Sequence, residues 1–163
     1  MSPEFRAYVR RMAADFAPAQ PDWFMACMAF ETGRTFSPSV KNPRSSATGL
    51  IQFMDATAKG LRTTTLALAS MSAEDQLDYV WLYFRDRIRE HGPITRLTDC
   101  YMAILNPSAM GKPDSFPMWV KGSSQYAVNA GLDTDKGGQI TKAEAGAKVA
   151  AMLAEGLKPE NIA

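Results

Sequence analysis

At 163 residues the chain suits one compact domain spanning 1–163, large enough to bury a core without disulfide or metal staples. A hydrophobic fraction of 46% with 21% charged residues is ordinary for a soluble globular protein, and no apolar run approaches the roughly 20 residues of a membrane span. The net charge of +1 removes the electrostatic case for nucleic acid, because the densest basic stretch, Arg85 to Arg89, is interleaved with acids and reads as a solvated helix face.

Ser2 and Pro3 make a helix start, and Phe5, Tyr8, Val9, Met12 and Phe16 recur at helical spacing until Pro18 and Pro21 interrupt the pattern. The N-terminus lacks the basic start, apolar stretch and small-residue cleavage site of a secretory signal, so export by that route is not expected. Asp22 is a candidate cap for a second helix, Trp23 to Thr32, which is apolar nearly all round. From Gly33 to Thr48 the chain is rich in Gly, Ser, Pro and Asn and reads as a loop. Leu50 to Phe53 reads as a short extended piece, after which Asp55 is placed to cap a short helix.

Ser72 opens a longer helix with Leu77, Val80, Trp81, Phe84 and Ile88 on one face, ending at His91-Gly92-Pro93. Another helix runs from Thr95 to Leu105 and breaks at Asn106-Pro107. An irregular excursion follows to about residue 125 around the apolar island Phe116 to Val120, and Thr141 begins a last helix that reaches about Glu155. The whole is mainly α, without internal repeats or strong strand alternation. Cys27 and Cys100 each fall within an apolar helix and read as buried free thiols.

Glu31 stands out because it closes the run Trp23-Phe24-Met25-Ala26-Cys27-Met28-Ala29-Phe30. A carboxylate at the end of such a helix loses solvent, which raises its pKa, and the C-terminal dipole disfavours an anion there. An acid that stays protonated near neutrality is what glycoside cleavage requires.

The pairing of Glu31-Thr32-Gly33 with Gly49-Leu50-Ile51-Gln52, across about residues 23 to 61, resembles the soluble lytic transglycosylases and goose-type lysozymes. The resemblance implies a lysozyme-like fold, Glu31 as the catalytic acid, and a sugar cleft lined by Gly49, Leu50 and Gln52. Thr32 would either orient the carboxylate or cap the last helical turn. The family's later Ala-Tyr-Asn motif should fall in Cys100 to Pro107, where Asn106 matches but Leu105 replaces the Tyr; Tyr101, one turn earlier on the same face, could supply the phenol. Phe53, Tyr101, Trp119 and Tyr126 are candidates to stack on sugars.

A hydrolase would need a second carboxylate, yet Gly33 to Thr48 holds no Asp or Glu, and Asp55 reads first as a helix cap. A transglycosylase needs only one and no cofactor. The expectation is therefore cleavage of peptidoglycan between N-acetylmuramic acid and N-acetylglucosamine, leaving 1,6-anhydromuramyl ends. The missing signal suggests a bacteriophage product, an endolysin or a virion-associated enzyme, acting from the virion or the host cytoplasm on the cell wall with phage tail proteins as partners. The alternatives are a muramidase that uses water and a non-catalytic wall-binding or tail-structural module, which the Leu105 departure favours.

Asp133-Thr134-Asp135-Lys136-Gly137-Gly138-Gln139-Ile140-Thr141-Lys142-Ala143-Glu144 follows the twelve-residue calcium loop of an EF-hand, with Asp133, Asp135, Gln139 and Glu144 as its ligand positions. Gly137 stands where a ligand side chain is usual, and Thr141 with Glu144 forms a capping box that needs no metal. These features favour an empty structural loop over an occupied calcium site. His91, the only histidine, gives no footing for zinc.

Overall fold

Ser2 begins the first helix by accepting a hydrogen bond from the Phe5 amide at 3.0 Å, with Pro3 in the first turn. The computed structural model describes residues 1–161. Helix α1 spans Pro3–Asp15 and α2 spans Pro21–Glu31, followed by two short helices, α3 (Asp55–Gly60) and α4 (Thr65–Ala69). The longest, α5 (Ala73–His91), is capped by Ser72 and stopped by Gly92 at φ +96°. Helix α6 covers Leu97–Leu105, α7 Ser124–Asn129 and α8 Lys142–Gly156.

Two strands absent from the sequence expectation, β1 (Pro117–Val120) and β2 (Gln139–Thr141), pair antiparallel with Trp119 opposite Ile140. They are too short for their alternation to register in a sequence window, and their partners lie about twenty residues apart. The protein is mainly helical, as its composition and periodicity imply. Asp22 does not cap α2: the helix starts one residue earlier at Pro21, whose missing N–H makes it suited to the first turn, and Asp22 contributes only favourable charge there.

One hydrophobic core joins the elements. Helix α2 lies against α1, α6 and α8, and α5 lies against α1 and α6. Phe24 meets Phe84 edge-on at 4.9 Å and Phe16 stacks on Trp81 at 5.9 Å, fastening α2 and α1 to α5. Leu77, Val80 and Phe84 are buried, while Trp81 and Ile88 are half-buried at the edge of the same stripe.

A charged pair is embedded among these apolar contacts. Lys142, at the start of α8, donates to Asp99 of α6, and both residues are 0% exposed. Lys142 also donates to the Lys112 carbonyl at 2.8 Å, and Asp99 accepts from the Gly111 amide and the Thr95 hydroxyl, each at 3.0 Å. Burial raises the Asp99 pKa, but Lys142 and these donors outweigh it and leave the group below the usual carboxylate range. The pair thus ties α6, α8 and the irregular 106–116 segment together.

Removing one partner strands the other charge. Lys142→Met should lower stability by about 3–5 kcal/mol in urea unfolding, and the double variant with Asp99→Asn should recover part of that loss. A cost below about 1 kcal/mol for the single variant would show that water reaches Asp99.

Candidate active site

Glu31 is the last residue of α2, and its carboxylate has neither a hydrogen-bond donor nor a cation facing it among the described residues. Burial alone raises its pKa from 4.5 to about 7. A carboxylate close by would add repulsion to that cause, and none contributes. The group is therefore a solitary, desolvated acid, half protonated near neutral pH.

Its surroundings come from α5 and α6. Tyr101 on α6 is 4% exposed and meets Phe30 edge-on at 5.6 Å; its phenol is pushed up by burial first and then by the charge of Glu31. The Tyr101 hydroxyl makes no hydrogen bond among the described residues. Tyr83 on α5 is also pushed up by burial, with Arg87 opposing and Glu31 adding to the rise, while its hydroxyl donates to the Ala103 carbonyl at 2.7 Å. Cys27 and Cys100 lie beneath as buried free thiols with their sulfurs 3.8 Å apart.

Tyr83 connects this acid to the Gly49 to Phe53 segment, since its ring meets that of Phe53 edge-on at 6.2 Å. The segment is a tight turn rather than the extended piece expected. Thr48 and Phe53 exchange backbone hydrogen bonds at 3.0 and 2.8 Å, and Gly49 and Gln52 take φ of +81° and +53° to reverse the chain between them. Gly49 is forced: a Cβ there would sit 2.3 Å from Gln76 Oε1.

Gln76 is the organiser that sequence reasoning missed. Fully buried on α5, it accepts from the Leu50 amide at 2.7 Å and donates to the carbonyls of Leu68 at 2.7 Å and Pro38 at 3.1 Å. Gln76 and Tyr83 are seven residues apart and so share one face of α5, the first holding the turn at Leu50 and the second at Phe53. An amide on the apolar stripe beside Leu77 and Val80 was the available signal.

Several expected site residues take other positions. Thr32 is 3% exposed; its hydroxyl donates to the Met28 carbonyl at 2.7 Å and accepts from the Phe36 amide at 2.9 Å, so it caps the helix and cannot orient the Glu31 carboxylate. Leu50 and Phe53 are buried core residues, which removes Phe53 as an open sugar-stacking platform. Gln52 is half-buried and donates its amide to the Gly49 and Val40 carbonyls at 3.1 and 3.3 Å, leaving its Oε1 without a partner among the described residues. Asn106 ends α6 and accepts from Ser108 at 2.8 Å. Asp55 is exposed, begins α3 without capping it, and accepts from the Thr65 hydroxyl at 2.7 Å.

The acidic loop forms a second cluster. One ligand atom each from Asp133, Asp135 and Glu144 lies within 4.8 Å of the others, so the three could hold a metal ion. Thr141 and Glu144 also make the expected capping box of α8. Trp119 and Tyr126 are half-buried in this region, Tyr126 donating to Asp133. Separately, a cavity of about 560 Å³ opens on the face of α2 that carries Met25, Ala26 and Ala29, and Glu31 does not line it.

The raised Glu31 pKa has a stability consequence with a definite sign. Between about pH 4.5 and pH 7 the unfolded chain has released this proton and the folded chain has kept it, so folding weakens as pH rises, by about 3 kcal/mol in all. Glu31→Gln, neutral at every pH, should therefore stabilise the protein by up to about 3 kcal/mol at pH 8 and by little at pH 4. Thermal unfolding at the two pH values checks this; an equal change at both would mean that Glu31 is not desolvated.

No protein-family model matches the chain, and no curated protein matches it in sequence.

Proposed function

We propose that the protein is a peptidoglycan lytic transglycosylase with a lysozyme-like fold, cleaving the β-1,4 bond between N-acetylmuramic acid and N-acetylglucosamine. The observation that carries this reading is the solitary character of Glu31, raised to about 7 by burial with no second carboxylate contributing. Hydrolysis by either stereochemical route calls on a carboxyl pair at about 5–9.5 Å. Cleavage with the substrate's own hydroxyl as nucleophile calls on one group that is acid first and base second.

In the first step protonated Glu31 gives its proton to the glycosidic oxygen as the muramyl C1–O bond breaks, releasing the N-acetylglucosamine 4-hydroxyl. In the second, the Glu31 carboxylate takes the proton of the muramyl C6 hydroxyl while O6 bonds to C1 and closes the 1,6-anhydro ring. Glu31 ends protonated, as it began. The unpartnered Tyr101 hydroxyl next to it is suited to steady the reacting sugar, taking the part that Leu105 cannot play. The free Gln52 Oε1 is suited to accept from an N-acetyl N–H. The reaction needs no cofactor, and the 133–144 loop, whose donors suit calcium, takes no part in these proton transfers.

The setting that fits is phage-mediated wall degradation, from an endolysin or from a virion-borne enzyme associated with tail proteins. Mass spectrometry of muropeptides released from purified peptidoglycan tests the chemistry. Wild-type protein should yield anhydromuramyl ends, and Glu31→Gln should lose at least about 100-fold in rate. Turnover should fall about tenfold per pH unit above pH 7 as the acid form is lost. Reducing ends would establish a hydrolase, and wall binding with no release would establish a binding module.

Tyr101 has its own test. Tyr101→Phe removes only a hydroxyl with no protein partner, so stability should change by less than about 1 kcal/mol while turnover falls about tenfold or more. Unchanged turnover would return Tyr101 to a packing role.

A further inference from the structure

We infer that the loop from Asp133 to Glu144 is a working calcium site that braces the β1–β2 ribbon against the start of α8. The inference is independent of the glycan chemistry proposed for Glu31. Three observations converge on it, and the decisive one concerns a single oxygen.

Asp133 Oδ1 is closed off from solvent and accepts no hydrogen bond among the described residues. Its sister Oδ2 accepts from the Gly138 amide at 3.0 Å and from the Tyr126 hydroxyl. An ionised oxygen enclosed without a donor costs folding free energy unless a cation meets it. The acidic character of the loop alone would not imply a ligand; the orphaned oxygen does.

Distance supplies the second observation. Calcium binds oxygens at about 2.3–2.6 Å, so ligands on opposite sides of the ion stand about 4.6–5.2 Å apart. The ligand atoms of Asp133, Asp135 and Glu144 lie within 4.8 Å of one another, a separation that one calcium ion spans. The donor set is entirely oxygen, which suits calcium and disfavours zinc.

The third is the pose of the carboxylates. Glu144 reaches back across the loop, its Oε1 accepting from the Thr134 and Asp135 amides at 3.0 and 3.4 Å and its Oε2 from the Thr141 amide at 2.9 Å. Asp135 Oδ1 is turned inward by the Gly137 amide at 2.7 Å, and a Cβ on Gly137 would stand 2.8 Å from that oxygen. Gly137, which breaks the usual ligand pattern, is thus what lets Asp135 adopt this pose. Asp133, Asp135 and Glu144 offer one oxygen each, three of the six to eight that calcium takes, so water would complete the shell. The missing side-chain ligand places affinity near the weak end, at about 10⁻⁴–10⁻³ M.

The ion would act as a staple. The loop follows α7, contains β2 and runs directly into α8, and α8 packs on α2 and α6. Fixing the loop therefore fixes the angle at which the ribbon leaves the helical body.

Terbium luminescence, excited through aromatic side chains such as Tyr126, tests the site on chelator-treated full-length protein. Saturable emission should appear, be displaced by millimolar calcium but not by equal magnesium, and be lost in Asp133→Asn and Glu144→Gln. Glutamine still serves a capping box, so Glu144→Gln retains α8 and separates lost binding from lost folding. Calcium at about ten times its Kd should raise the Tm of wild-type protein by about 3–6 °C and leave Glu144→Gln unmoved. Absence of saturable emission with no calcium shift in Tm, or persistence of both in the two variants, would overturn the inference.

Discussion

A carboxylate deprived of solvent at the end of an apolar helix is the constraint around which the candidate site is organised. Glu31 owes its raised pKa to burial alone, beside Tyr83 of α5 and Tyr101 of α6. A cation placed beside it would restore stability and lower the pKa, undoing the property that makes it an acid at neutral pH. The packing therefore sustains a local instability, of the kind that the proton-transfer role proposed for Glu31 would require.

The segment from Gly33 to Phe53 has almost no regular structure of its own, so its backbone groups need partners from elsewhere. Gln76 supplies two of them, to the Leu50 amide and the Pro38 carbonyl, bonds to Leu68 of α4 as well, and by the close approach of its side chain dictates glycine at 49. Tyr83, two turns further along the same face of α5, positions Phe53 and bonds to α6 through the Ala103 carbonyl. One face of one helix thus holds the turn at Leu50 and Phe53 and carries Tyr83 on the flank of Glu31. The Lys142–Asp99 pair performs a corresponding task between α6, α8 and the 106–116 segment, through the Lys112 carbonyl and the Gly111 amide.

The C-terminal third puts the same residues to two uses. Glu144 caps α8 with Thr141 and reaches across to the Thr134 and Asp135 amides. A capping box and a calcium loop ask for the same residue types at overlapping spacings, so neither reading of the sequence displaces the other. What separates a mere cap from a cation site is whether the remaining carboxylate oxygens find donors, and Asp133 Oδ1 does not.

Local chemistry was legible in the sequence by itself. Ser2, Ser72 and Thr141 cap their helices through contacts only three residues away, Gly92 ends α5 by its own backbone freedom, and the apolar run before Glu31 announced a buried helix with an acid at its end. The tertiary structure alone decided which polar groups remain available for chemistry. Whether Phe53 is exposed or buried, and whether Leu50 to Phe53 extends or turns, depend on Gln76 and Tyr83, which are distant in sequence from that segment. Capping and periodicity act within one or two helical turns, whereas burial and the pairing of the last polar groups are settled by which elements happen to meet.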